Sequence, residues 1–320
     1  MGINYTKITA MVQERYMPGF ANNIFDKSAL LSTMLKDQSV KVRGGSRITE
    51  GVLFAKPTAA GSYDGYDVVD TTPADVRDRA RFEWAHKYVS VAIAQTDELQ
   101  ISGPDAVGDL VAAEMEAAEM KMRDQIAEDI FAGGATIIGL DSAVAAGTYA
   151  GIPGATSTWW QSGVDATAHT QANMKDSTHA SYVLTLLQTA FRTCTHYGMK
   201  PNLVVTTLAV WDLIENVLQQ NATYPKNVNA RTKLIGDGGF NVLEFRGVPI
   251  IADEKCTANY LYVLNTQFLK FYIHPNNNFK FTGFKEPTNQ LARVGQITLS
   301  CQLGVTNRRM FYKFTSLGAT

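Results

Sequence analysis

The chain has 320 residues, of which 45% are hydrophobic and 18% charged, a composition that excludes disorder as its main state. Its charged share falls below the quarter or so usual for a soluble domain, which points to surface destined for burial between chains. With 29 Lys+Arg against 30 Asp+Glu the formal net charge is -1, so no basic excess exists to drive nucleic-acid readout through phosphate neutralisation.

Residues 1–42 read as an arm of short apolar clusters (Ile8, Met11, Val12; Phe20, Ile24, Phe25; Leu30, Leu31, Met34, Leu35) separated by Pro18-Gly19 and polar stretches. Alternation at Ile48, Val52, Phe54 and again at Phe82, Trp84 predicts a hairpin. Its long tip, Lys56 to Arg79, holds Asp64, Asp67, Asp70 and Asp75, and up to Asp75 its only large apolar groups are Tyr63, Tyr66, Val68 and Val69. Such a finger cannot make its own core, so these four are the candidate intersubunit contacts. The apolar phase then shifts to Val89, Val91 and Ile93, as when a strand bulges or changes sheet.

Ser102-Gly103-Pro104 opens a long helix that closes at Gly133-Gly134. Val107, Val111, Met115, Ala118, Met122, Ile126 and Ile130 give it one apolar face. Its other face carries Asp109, Glu116, Asp124 and Glu128 among eight carboxylates; it is either a solvated face or one that receives the arm, whose cations outnumber its acids, and a third role, toward packaged DNA, arises only from the resemblance given below. From about 135 to 178 the composition turns to Ala, Gly, Thr and Ser with an isolated Trp159-Trp160 pair, which marks a boundary. Beyond it helix and strand alternate: a helix from Tyr182 to Cys194, a strand Leu203 to Thr206, a helix Leu208 to Leu218, and strands Asn241 to Ala252 and Tyr260 to Leu264. Phe268 to His274, then Val294 to Leu303 and Val305 to Thr315, return the chain to β structure.

Signs of catalysis are missing. No H-E-x-x-H, G-x-S-x-G or phosphate-loop pattern occurs, so no enzyme and no cofactor is expected. Gly133-Gly134 with Gly139 follows a helix, whereas a dinucleotide loop must open one. Cys194, Cys256 and Cys301 form no C-x-x-C pair, and Cys194 with His196 lacks a second cluster for a metal site. The Trp159-Trp160 pair fits an aromatic plug better than a carbohydrate platform. No run is long and apolar enough for a membrane span, and Met1-Gly2 with Thr6 matches a myristoylation pattern too permissive to carry weight.

The order of parts, together with "AGSYDGYDVVDTTPADV" (60–76), "FEWAHKYVSVAIAQTDELQISG" (82–103), "EAAEMKMRDQIAEDIF" (116–131), "TWWQSG" (158–163), "GVPIIADEKC" (247–256) and "GVTNRRMFYKF" (304–314), resembles the Hong Kong 97 type major capsid proteins of tailed bacteriophages over nearly the whole chain. The resemblance implies an α+β fold: an N-terminal arm (1–42), an extended-loop β-hairpin (43–80), a peripheral domain with a spine helix (81–135), a linker (136–154), an axial domain (155–267) and a return to the peripheral domain (268–320). It further implies a virion shell subunit, assembled in the host bacterial cytoplasm into hexamers and pentamers around double-stranded DNA, with the loop lying over the next subunit. Expected partners are other copies, a separate scaffolding protein, a portal and a decoration protein; no membrane is involved. An encapsulin-like nanocompartment is the same-fold alternative, and an α/β enzyme in residues 180–265 the alternative of another class. Some members cross-link a loop lysine to a neighbour's asparagine; Lys56 is the only lysine in this finger, and the sequence places no partner for it. About 42 residues precede the finger, and their broken apolar clusters suit a strap rather than a removable coiled-coil scaffold, so an uncut chain is expected.

Overall fold

The computed structural model describes residues 30–31, 33–34, 39–42, 45–96, 104–134, 136–221, 243–288 and 291–319. The fold is α+β, with two main sheets and a projecting hairpin. Strands β2 (Arg47–Leu53) and β3 (Arg77–Glu83) pair antiparallel over seven residues and form that hairpin alone. At Trp84 the chain changes sheet: β4 (Ala85–Ala94) pairs with the far longer β13 (Ala292–Val305). The buried residues switch there from Phe82 to Ala85, Val91 and Ile93, which is the phase shift seen in the sequence. β1 (Ser39–Lys41), β11 (Leu269–Ile273) and β12 (Lys280–Phe281) complete this peripheral sheet in the order β1-β11-β13-β12, with β4 also on β13.

Helix α1 (Pro104–Ala132) has 29 residues, about 43 Å at 1.5 Å per residue. Its apolar stripe is inward: Val111, Met115, Ala118, Met122, Ile126 and Ile130 are all buried, while the side chain of Val107 lies outside the described residues. Gly133 ends the helix with φ +81 and an N–H bonded to the Asp129 carbonyl at 2.9 Å, the left-handed stop that glycine tolerates best. Gly139 packs against it so closely that a Cβ there would lie 2.2 Å from the Gly133 nitrogen. The three glycines thus form a helix exit.

The second sheet runs β5-β14-β10-β7-β9-β8, from β5 (Gly163–Asp165), β7 (Leu203–Thr206), β8 (Leu243–Phe245), β9 (Val248–Ala252), β10 (Leu261–Leu264) and β14 (Tyr312–Phe314). Helices α4 (Val183–Cys194) and α5 (Leu208–Asn221) cover one face, packing on Val204, Ile250, Leu261 and Val263; the opposite face, with Val205, Ile251, Tyr262 and Leu264, belongs to the core shared with α1. Because both faces are covered, these strands are continuously apolar rather than alternating. The short pieces α2 (Leu140–Ala143), β6 (His169–Thr170), α3 (Gln171–Lys175) and β15 (Leu317–Ala319) fill the joints.

Three expected boundaries move. Leu30, Leu31 and Met34 are buried in the chain's own core and β1 runs parallel to β11, so the end of the expected arm belongs to the body. The apolar clusters of residues 1–29, the basic arm residues among them and Leu35 lie outside the described residues, as does Asn241. Residues 312–319, expected in the peripheral return, lie elsewhere: β14 joins β10 and β5 in the second sheet, and β15 pairs with β6 in a two-stranded sheet of their own. Residues 136–154 are no linker, since Ile137, Leu140, Ala143, Val144, Tyr149 and Ile152 are all buried.

Candidate functional site

Between Phe54 and Val76 the finger has no strand or helix. Tyr63, Tyr66, Val68 and Val69 all face solvent; Val68 is 98% exposed. The tip's polar contacts are local: the Asp64 N–H donates to the Asp67 carboxylate at 3.0 Å, and Thr72 donates its N–H and hydroxyl to Asp70 at 2.9 and 2.7 Å. Those two bonds hold the Asp70 carboxyl below the usual aspartate range. Lys56 is exposed.

Where the finger meets the body, the ring of Phe54 stacks on Trp159 at 4.7 Å, and Trp160 is buried with its indole N–H on the Tyr149 carbonyl at 3.1 Å. The tryptophan pair is therefore the plug at the base of the finger. On the hairpin's inner face Glu50 accepts from Lys270 at 3.0 Å and from the Tyr272 hydroxyl at 2.8 Å.

The spine-helix acids divide. Glu128 accepts from Lys255 of the axial domain at 2.8 Å, with Asp124 3.9 Å from the same ammonium; the bond to Lys255 holds the Glu128 carboxyl below its ordinary range. Glu116 is exposed, and the Asp109 side chain lies outside the described residues. Glu119, which the sequence reading did not single out, is buried against Arg123 at 3.1 Å; burial raises its carboxyl and the nearby guanidinium partly offsets this.

Residues from the C-terminal strands hold the 136–154 segment, and the sequence reading missed them. Arg308, fully buried, donates to the carbonyls of Ala143 at 2.7 Å, Gly147 at 3.0 Å, Ser142 at 3.4 Å and Ala145, with its guanidinium 4.8 Å over the Tyr149 ring. Burial lowers its pKa to about 10, so it stays charged at neutral pH. Gln302 bonds Ile138, Thr136 and Glu83 backbone atoms, and Lys313 bonds Asp141. Arg77, Arg79 and Arg81 were also passed over, although their alternation in "RDRARFE" was the signal; all three are exposed on the hairpin's outer face.

Among the described residues no group of three or more His, Cys, Asp or Glu side chains is placed to hold a metal ion. All three cysteines are buried, and burial pushes each thiol up to about 12. A hollow of about 710 Å³ beside α4 is lined by Arg192, Lys200 and Arg246 with threonines, and among the described residues no carboxylate, histidine or cysteine lines it.

No protein-family model matches the sequence, and no curated protein matches it. Solved structures do. The capsid asymmetric unit of Cyanophage A-1(L) aligns over 93% of this chain and 95% of that one, with TM-score 0.56 and 18% identity. The Mycobacterium phage Cain structure aligns over 100% of both, with TM-score 0.58 and 11% identity. The chain has the Hong Kong 97-like capsid fold. That fold also includes the SrpI encapsulin of Synechococcus elongatus PCC 7942, aligned over 89% of this chain and 87% of that one at TM-score 0.56 and 13% identity.

Proposed function

We propose that the chain is the major capsid protein of a tailed bacteriophage, a non-enzymatic subunit that assembles into hexamers and pentamers of an icosahedral head around double-stranded DNA. The observation that carries this reading is the finger: it stands on a Hong Kong 97-like fold and exposes Tyr63, Tyr66, Val68 and Val69 to solvent in the single chain. Four large apolar side chains on a segment without a core are the mark of surface awaiting a partner, and a repeated contact between copies supplies one at every position of a closed shell. The finger then belongs over the neighbouring subunit, and the body behind it supplies the rigid wall.

Further proposed partners are a separate scaffolding protein that sets curvature, a portal and a decoration protein. The site of assembly is the host bacterial cytoplasm and the destination the virion. The similarity to an encapsulin supports a second reading, a nanocompartment shell around a protein cargo. Electron microscopy of purified particles, with nuclease treatment before their contents are extracted, separates the two. Closed shells protecting long double-stranded DNA support the phage reading; shells holding one protein cargo and no genome support the encapsulin; a stable monomer at high concentration counts against both.

A further inference from the structure

The finger carries two charged surfaces of opposite sign, and among the described residues no salt bridge neutralises either. On the outer face of the hairpin Arg77, Arg79 and Arg81 alternate with the inward Asp78, Ala80 and Phe82. Across the register they oppose Leu53, Gly51 and Thr49, none of them charged. At about 3.4 Å per residue successive guanidiniums stand about 7 Å apart, a ladder of like charges that repel one another. Among the described residues no salt bridge reaches any of the three, whereas Arg47 pairs with Glu83 at 2.9 Å, Glu50 pairs with Lys270 at 3.0 Å, and the Asp78 carboxylate accepts from the Arg79 backbone N–H at 2.7 Å. A Cβ on Gly51, opposite Arg79, would find nothing within 4 Å, so this face is open.

At the tip the sign inverts. Asp64, Asp67, Asp70 and Asp75 are exposed, no cation among the described residues forms a salt bridge with them, and Lys56 is the only cation between Phe54 and Val76. One finger thus offers a cationic stem and an anionic tip.

We propose that the finger is a head-to-tail connector, the tip aspartates of one copy docking on the Arg77, Arg79 and Arg81 ladder of the next. This rests on the shell reading above and names the surfaces that meet. Arginine suits the stem because its planar fork grips a carboxylate through two parallel bonds. A protein surface fits the pattern better than nucleic acid does. Phosphate would satisfy the arginines but leave Tyr63, Tyr66, Val68 and Val69 uncovered, whereas the stem also presents Leu53, 69% exposed opposite Arg77, to receive them. A contact between unlike patches is heterologous, so it propagates from copy to copy and closes as a ring when the rotation between copies divides a full turn, as the shell reading requires.

The test is charge reversal in three chains compared with the wild type by electron microscopy and native mass spectrometry. One carries Arg77→Glu, Arg79→Glu and Arg81→Glu; the second carries Asp64→Lys, Asp67→Lys and Asp70→Lys; the third carries all six changes. Each triple variant should keep the wild-type circular dichroism, since every altered side chain is exposed, and lose assembly by about tenfold or more as like charges meet at the contact. The six-change chain should recover wild-type particles. Mixing the two triple variants should restore only rings with an even number of members, because unlike copies must alternate. Recovery by the six-change chain with an inert mixture would mean that tip and stem meet within one copy, and would overturn the proposal. Normal shells from the stem-reversed chain, defective only in holding DNA, would assign the ladder to phosphate and overturn it too. Wild-type shells matched by all three variants sink the docking alone, whereas a wild-type chain that forms no ring or shell beside its own phage proteins removes the shell reading as well.

Discussion

Residues 54–76 and 136–154 are both rich in small and polar residues, the second also carrying Ile137, Ile138, Leu140 and Ile152 where the first has no isoleucine or leucine, and they end in opposite environments. The finger tip is exposed along nearly its whole length, while the second segment is folded into the centre of the molecule with Tyr149 and Ile152 buried. Beside those aliphatic side chains, what separates them is where the backbone polar groups go. In 136–147 the carbonyls are met by Arg308, Gln302 and Lys313, delivered from more than 160 positions away. In the finger, turns such as the Asp67 N–H to the Asp64 carbonyl at 3.1 Å serve a few groups, and the segment is otherwise open to solvent. An irregular segment can be buried only if donors and acceptors are brought to it. One segment receives them from its own chain; the other is left for a neighbour.

The largest effect is expected from removing the donor set. Arg308→Met keeps most of the side-chain volume but strips donors from the carbonyls of Ala143, Gly147, Ser142 and Ala145 in a site without solvent. Buried carbonyls left unsatisfied cost about 1–3 kcal/mol each, and with partial relaxation the loss should be on the order of 4 kcal/mol. Chemical denaturation of the isolated subunit measures it. Arg308→Lys should recover little, since a compact ammonium cannot span four carbonyls arranged for a planar fork. A loss below about 1 kcal/mol would show that the segment stays buried through packing alone.

The contrast also explains what was legible in the sequence. Patterns within one element were: the steps of three and four from Val111 to Ile130, the phase shift after Trp84, and the poverty of the finger that singled out Tyr63, Tyr66, Val68 and Val69. Partnerships between distant residues were not. Tyr312, Lys313 and Phe314 are all buried, so no alternation shows whether they serve the peripheral or the axial sheet, and their strand was placed in the wrong one. Arg308 falls inside Val305 to Thr315, which reads as strand, whereas it sits in a short 3-10 turn, and nothing local reveals the carbonyls it serves. The acidic spine face was visible as a set, but that Glu128 and Asp124 meet Lys255 depends on a docking across 127 positions.

A smaller effect of opposite sign is expected at the finger. Replacing residues 58–74 by a short Gly-Ser turn removes no buried contact: the Phe54 N–H to Val76 carbonyl bond and the Phe54 stack on Trp159 both lie outside the excision. Shortening the loop lowers its closure entropy, and two halvings of length are worth about 1 kcal/mol of added stability. The truncated subunit should therefore melt at or slightly above the wild-type temperature in calorimetry while losing the ability to form shells. A destabilised subunit would show that the tip makes contacts within its own copy and would erase the contrast with the buried segment.

The smallest effect tests a contact of intermediate kind, made within the chain but at its surface. Lys255 joins the axial domain to Glu128 on α1, with the two side chains 32% and 58% exposed. Solvent screening limits such a pair to a few tenths of a kcal/mol. Its pH dependence has a definite sign. The Glu128 carboxyl is held below its ordinary value of 4.5 by the hydrogen bond from Lys255, so its contribution is present above that value and is lost as pH falls through the lower folded one. Lys255 is shifted upward from 10.5 by the same bond, so its share is full below that value and is lost only as pH rises through the higher folded one. The contribution should be flat across neutral pH. Lys255→Ala should then lower stability slightly at neutral pH, and the difference from wild type should vanish in acid below the folded Glu128 value. Paired denaturation curves at the two conditions decide it. A difference that persists in acid would mean that the Lys255 stem packs against α1 and that its charge is incidental.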